Sequence, residues 1–301
     1  MRHPLRRPAF TKFLLFLLSG RLLMPHTQTD AGPDGLDAEE RQEAERRSAP
    51  HVAVVHEAIR LEGEEEIKRS PQALAWSGLA AGLAMGFSLL TQGYLHAALP
   101  DTDWRVLVVK LGYSVGFLVV ILGRQQLFTE NTLTPVLPLL HDVRGKIGKV
   151  AKLWGVVLVT NLLGAGLFAW ALSAAPNVDP GTEAAFLEIA RDVYRGDFLA
   201  TLVAAVYAGW LIALMVWMLP FAESGRVTVI VIVTYVLGLG HLDHSIAGSV
   251  EVLYLVAKGE VGFLAYLGHF LAPAVLGNVV GGVVFVALLN HAQVVHNESE
   301  G

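Results

Sequence analysis

Five ionisable side chains lie inside stretches that are otherwise apolar: Glu130, His241, Asp243, His244 and Glu251. Placing such a group in hydrocarbon costs a few kcal/mol or more, so each is a candidate for work on a solute or a proton. His244 carries the most chemistry. Its imidazole can donate or accept a proton near neutral pH, and a small environmental shift decides which. Near a helix N-terminus the neutral ring is favoured, and the backbone N–H groups there attract anions. Asp243 beside it is expected to orient backbone N–H groups or to draw the imidazole towards its charged form. A lone histidine in a membrane helix is most often a packed, hydrogen-bonded residue. Its position inside a polar break argues for a function instead. A bare carboxylate at Glu130 would repel anions, so Glu130 is expected to be satisfied by backbone N–H groups of its loop.

A second polar cluster runs Arg124-Gln-Gln-Leu127-Phe128-Thr129-Glu130-Asn131, and Thr129 is expected to occupy the place that matches His244. Its hydroxyl and the freed N–H groups of Leu127, Phe128 and Asn131 are neutral donors that can hold a small polar solute without trapping it. The plainer role for Thr129 is to cap a helix restarting at Thr132. Tyr113 and Phe117, one turn apart, form an aromatic pair that is either a packing stripe or a constriction. His241-x-x-His244 with Asp243 and Glu251 also supplies metal-ligand types, but its spacing is not that of the zinc-protease helix. An intramembrane metalloenzyme is therefore a rival reading. A third is a pore-less interaction protein working through its charged N-terminus. The reading preferred is a non-enzyme with no cofactor.

These residues need elements to hold them, and composition says which. The chain has 301 residues, 53% hydrophobic and 16% charged, with mean hydropathy +0.51; soluble domains carry about 25% charged residues. The charge is also unevenly placed: 11 of 22 basic and 12 of 27 acidic residues fall in positions 1–72. Long apolar runs separated by short polar patches make this an all-α polytopic membrane protein. Without cysteine, disulfides, thiolate nucleophiles and Cys-ligated metal sites are excluded. No basic stripe with interleaved aromatics suggests a nucleic-acid partner.

Six apolar segments follow Pro71: Leu74–Leu99, Val106–Leu140, Leu153–Ala175, Phe198–Phe221, Val227–Ala257 and Gly262–Leu289. The second and fifth are too long for one span of about 20 residues and too short for two. Each contains one of the polar clusters, and such clusters are tolerated at membrane depth only when buried in protein or lining a wet cavity. Both are expected to be broken helices. Broken helices at positions two and five of six indicate an inverted repeat of three plus three, with the site between the breaks. Asn161-Leu-Leu-Gly164 in span three and Asn278-Val-Val-Gly281 in span six repeat one pattern. The segment between spans two and three is basic (Arg144, Lys146, Lys149, Lys152), whereas that between three and four is acidic (Asp179, Glu183, Glu188, Asp192, Asp197) and is expected to be a loop. This asymmetry puts both termini in the cytoplasm.

Residues 1–70 form a polar tail, 71–290 a six-helix transmembrane domain and 291–301 a short tail. The basic-then-apolar opening imitates a signal peptide too weakly to be one, and Met24 is expected to be the true start, with residues 1–23 an artefact. Within the tail, Glu39–Arg47 is expected to be a solvated helix and Val54–Arg69 a partly amphipathic one at the cytoplasmic surface.

At these residues the sequence resembles the formate/nitrite transporter family. The resemblance rests on Leu127-Phe128-Thr129, Asp243-His244-Ser245-Ile246-Ala247 and Gly277-Asn278-Val-Val-Gly281-Gly282, with Met215-Val-Trp-Met218 and Ser224-Gly225-Arg226 in support. It covers about residues 70–290 and is nearest the YfdC-like branch. It implies an aquaporin-like fold assembled as a homopentamer in the inner membrane, one pore per subunit, passing formate, nitrite, hydrosulfide, acetate or lactate. By the same resemblance His244 is the central pore histidine, able to relay a proton to the solute, Thr129 its partner, and Tyr113 and Leu237 belong to hydrophobic constrictions. Two departures stand out: Leu237 replaces a frequent aromatic, and Gly209 stands where the fourth helix often has an asparagine. Arg191 or Arg195 substitutes for a lysine near the outer mouth.

Overall fold

The computed structural model describes residues 36–47 and 51–300, and every one of its regular elements is helical. The basic opening segment and the expected start at Met24 lie outside the described residues. Of the described residues, those up to 47 fall in one unit and those from 51 in a second. In the first, α1 (Ala38–Arg47) opens with a reciprocal cap: Glu40 N–H donates to Asp37 Oδ1 at 2.8 Å and Asp37 N–H to Glu40 Oε2 at 3.0 Å. Such a pair satisfies two of the donors that a helix start leaves free.

The second unit begins with α2 (Val52–Glu66) and continues with α3 (Pro71–Ala98), whose start is set by Ser70 as N-cap and Pro71 in its first turn. Then come α4 (Arg105–Leu122), α5 (Val136–His141), α6 (Val143–Ser173), α7 (Pro180–Val193), α8 (Phe198–Met218), α9 (Arg226–Leu239), α10 (Ala247–Ala257) and α11 (Phe263–Val294). Five of these helices (α3, α4, α6, α8 and α11) are long and apolar enough to cross a membrane. The expected fifth span is shared between α9 and the shorter apolar α10. Large apolar side chains cover the outside, among them Trp76, Trp170 and Leu264. That is the surface a bilayer or a neighbouring subunit requires, not water.

One element differs from expectation. The acidic stretch after α6, read as a loop, contains helix α7. Asp179 caps it by accepting from Gly181 and Thr182 N–H at 3.0 Å each, and Pro180 sits at its first position. Thr182, Ala185, Phe186, Ile189 and Ala190 are buried at helical spacing. The carboxylates occupy the other face, and their density hid the apolar stripe.

The chain leaves α-helical geometry at 123–135 and again at 240–246, and both exits have the same construction. In the first, Gln125 N–H bonds Val120 O at 3.0 Å and Arg124 takes φ +50°. In the second, Leu242 N–H bonds Leu237 O at 3.1 Å and His241 takes φ +46°. This is the reverse turn that ends helices by satisfying their last carbonyls. A side chain in the left-handed region costs about 1–2 kcal/mol, and here the cost falls on two polar residues.

Two helix pairs hold these breaks. α3 packs closely on α6 and α8 on α11, through glycines. A Cβ on Gly82 would lie 2.1 Å from Asn161 O, and one on Gly209 2.3 Å from Asn278 O. Small residues at such crossings let the backbones meet. Ser88 ties α3 to α4, donating to Tyr113 O at 2.6 Å and accepting from Gly116 N–H at 3.1 Å.

Candidate functional site

The two breaks meet at one hydrogen bond. Thr129 Oγ1 and His244 Nε2 are 2.7 Å apart, with exposures of 0% and 1%. On the other side of the ring, Ile246 and Ala247 N–H groups at the start of α10 donate to His244 Nδ1 at 3.2 and 3.1 Å. Two donors on Nδ1 leave it without a proton, so the neutral ring carries its hydrogen on Nε2 and donates to Thr129. The Thr129 hydroxyl is then free to donate elsewhere. Phe117 meets the imidazole edge-to-face, ring centres 5.0 Å apart, and Tyr113 lies against Phe117 at 5.4 Å.

This geometry revises three expectations. Thr129 makes no side-chain cap: a short 3-10 turn, Glu130–Thr132, follows it and the α-helix resumes only at Val136. Its hydroxyl goes across to the other break instead. By backbone register the counterpart of His244 is Leu127, not Thr129, because Gln126 and Phe128 are held as Asp243 and Ser245 are. Finally, a proton arriving at Nδ1 would face two backbone N–H groups, which makes this histidine a donor rather than a ready proton carrier.

Beside His244 lies a small cavity of about 20 Å3, lined by Lys110, Tyr113, Arg195, Leu237, His241, Asp243 and Glu251. Among the described residues Asp243 makes no hydrogen bond to the imidazole. Its carboxylate pairs with Arg195 from the loop after α7, and Arg195 also donates to His241 O at 2.5 Å. Arg191 is directed away, to Glu260 on the exposed surface. Of the two arginines considered for the outer mouth, Arg195 lines this cavity. Lys110 was missed by sequence reasoning, because a single lysine near the start of a span reads as an end anchor. It is 6% exposed in a 3-10 stretch of α4 and makes no salt bridge among the described residues.

On the other side of the breaks is a wider cavity of about 610 Å3, whose lining includes Glu62, Glu66, Arg69, Arg124, Gln126 and Glu130. Glu66, the last residue of α2, accepts from Gln126 Nε2 at 3.1 Å and Thr134 Oγ1 at 2.6 Å. Burial raises its carboxyl above the ordinary value of 4.5, with the hydrogen bonds from Thr134 and Gln126 opposing. Glu62 pairs with Arg124 at 2.9 Å. Glu130 is not satisfied by its loop: its Oε1 is enclosed without a hydrogen-bond partner.

The remaining candidates surround this centre. Asn161 and Asn278 bind the backbone of the breaks rather than lining either cavity. Ser245 N–H bonds Asn278 Oδ1, and Ser245 O accepts from Ser249 Oγ at 2.5 Å. Asn131 holds Gln126 Oε1 at 3.0 Å and accepts Trp154 Nε1–H on its carbonyl. Phe128 packs on Trp154, Leu127 is buried, and Gly209 lies in the α8–α11 contact against Asn278.

Residues 53–292 match the formate/nitrite transporter family model. The chain belongs to this family. It is 42% identical to the inner membrane protein YfdC of Escherichia coli strain K12 over 251 residues, which cover 83% of this chain and 81% of that one. It is 27% identical to a probable formate transporter of Methanothermobacter thermautotrophicus over 235 residues, 72% of this chain and 82% of the relative. In fold it resembles a pentameric formate channel solved with formate bound, with TM-score 0.63 and 21% identity over 78% of this chain and 99% of that one. The family match begins at residue 53 and so takes in α2.

Proposed function

We propose that this protein is a channel or transporter for small monovalent weak-acid anions of the formate and nitrite class, hydrosulfide, acetate and lactate being further candidates. It acts as a homopentamer in the inner membrane, each subunit holding a pore through residues 71–290, with both termini cytoplasmic. The observation that carries this reading is the Thr129–His244 hydrogen bond joining the two breaks. It places a free hydroxyl proton at one buried point beside the apolar residues Phe117, Tyr113 and Leu237. A bare anion pays a large desolvation cost on leaving water. Cations at Lys110 and Arg195 lower that cost at one mouth, and the Thr129 hydroxyl takes over from water at the centre. Membership of a transporter family and the formate channels among its structural relatives support the same solute class. The charged patterning supports the orientation.

The test is uptake of formate, nitrite, acetate and lactate into proteoliposomes at two pH values. Wild-type protein is expected to exceed empty vesicles for at least one of these solutes, and His244→Ala to change the rate. Flux at the level of empty vesicles for all four, or an unaltered H244A, overturns the reading.

A further inference from the structure

Glu251 takes no part in the bridge between the breaks, yet it lines the same cavity as His244. It is 3% exposed, and its one hydrogen bond among the described residues comes from Gln92 Nε2 to its Oε1, at 3.3 Å. Among the described residues no cation forms a salt bridge with it. Lys110 faces the cavity without a salt bridge, and Arg195 is committed to Asp243 and His241 O. Gln92, 0% exposed, directs Nε2 at two acceptors, Ser88 O and Glu251, which fixes its orientation and leaves its Oε1 without a partner. An ionised carboxylate so enclosed has one long bond from a neutral amide and no counter-ion in contact, a costly state. A protonated carboxyl avoids that cost and brings an O–H donor to the cavity.

A proton source is needed here, because His244 is a poor one. Loss of its Nε2 hydrogen would leave an imidazolate, and a second proton at Nδ1 would meet the Ile246 and Ala247 N–H groups.

We propose that Glu251 rests protonated and is the acid that hands a proton to the solute, a step that rests on the weak-acid reading above. The Glu251 O–H bond breaks as an oxygen of the anion takes the hydrogen, and the bonding pair stays on the Glu251 carboxylate. The neutral acid then passes the apolar residues around His244 without the cost of a bare charge. The new carboxylate faces the Lys110 ammonium, and water from the Arg195 side returns the proton. The charged and titratable groups around Glu251 are Lys110 and Tyr113 on α4, Asp192 on α7, Arg195 after it, and His241 and Asp243 in the second break.

Two measurements test this. In proteoliposomes with an internal pH dye, Glu251→Gln is expected to lower proton entry with formate about tenfold or more, the usual reach of a placed acid. By infrared spectroscopy, the wild-type protein should show a protonated-carboxyl band at neutral pH that E251Q removes and Gln92→Met displaces. Wild-type proton coupling in E251Q, or no such band, overturns the proposal. Should E251Q fail to assemble, the wild-type band and its response to Q92M still decide. A wild-type protein that passes no weak acid but shows the band refutes the solute reading while leaving Glu251 protonated.

Discussion

Asn161 and Asn278 make the same three hydrogen bonds in the two halves of the protein. Asn161 Oδ1 accepts from Phe128 N–H at 2.9 Å, and its Nδ2 donates to Gly78 O at 2.8 Å and Gln126 O at 2.9 Å. Asn278 Oδ1 accepts from Ser245 N–H at 2.8 Å, and its Nδ2 donates to Ala205 O at 2.8 Å and Asp243 O at 2.9 Å. One sequence offset relates Asn161 to Asn278, Phe128 to Ser245 and Gln126 to Asp243. Each amide thus locks a break onto the partner helix of its own half, and the residue left between the two held positions is Leu127 in one half and His244 in the other.

Asn161→Ala and Asn278→Ala each orphan one buried carbonyl and one N–H of a break, and remove a second bond from a helix carbonyl that keeps its intrahelical partner. At roughly 1–3 kcal/mol per orphaned group, a loss of about 3 kcal/mol or more is expected. Thermal unfolding in detergent should show both variants melting well below wild type, by similar amounts. Wild-type melting of either would mean that water replaces the amide.

Thr129→Val leaves the His244 Nε2–H buried without an acceptor, at a cost of about 1–3 kcal/mol. Expressed at the step that passes the centre, this is about tenfold in rate. Stopped-flow formate uptake should fall by that order in T129V and recover in Thr129→Ser, which keeps the hydroxyl. Equal rates in T129V and T129S would remove the hydroxyl from the pathway.

Gly209→Ala and Gly82→Ala place a methyl 2.3 and 2.1 Å from backbone oxygens of the neighbouring helix. No side chain there can swing aside, so the helices must part, at about 1–3 kcal/mol or more. Gly155→Ala on α6 meets nothing within 4 Å and gains about 0.5–1 kcal/mol of helix propensity. The yield of folded protein should drop for the first two and hold for the third.

His56 on α2 faces His291 across a 3.1 Å hydrogen bond and lies close to the ring of His141. Burial first, then the charges of His291 and His141, lower its pKa below the ordinary 6.5. A base with a depressed value in the folded protein contributes stability that is present above 6.5 and lost as pH falls below it. Measured relative to the unfolded chain, whose own exchange slows as hydroxide falls, hydrogen exchange across Val52–Glu66 should therefore quicken on acidification from about pH 7 to about pH 5. In His56→Gln that acceleration should shrink, and an unchanged acceleration would exclude this contact as its cause.

The apolar segments, both polar breaks and the repeated Asn-x-x-Gly pattern were legible in the residues, because hydropathy and the absence of water in a bilayer constrain each locally. His244 and Thr129 could be named for the same reason: polar groups at that depth need a purpose. Their direct contact could not be read from spacing, since it depends on how two helix pairs cross at Gly82 and Gly209. The direction of Asp243 towards Arg195, the reach of Glu66 from α2 to the first break and the exposure of Lys110 to the cavity were decided only in three dimensions. A charged side chain takes whichever partner the packing brings within about 3 Å, and that choice joins positions far apart in the chain. Helix α7 was hidden for another reason, as its carboxylates Glu183, Glu188 and Asp192 interrupt in sequence the buried residues that fold it against the body.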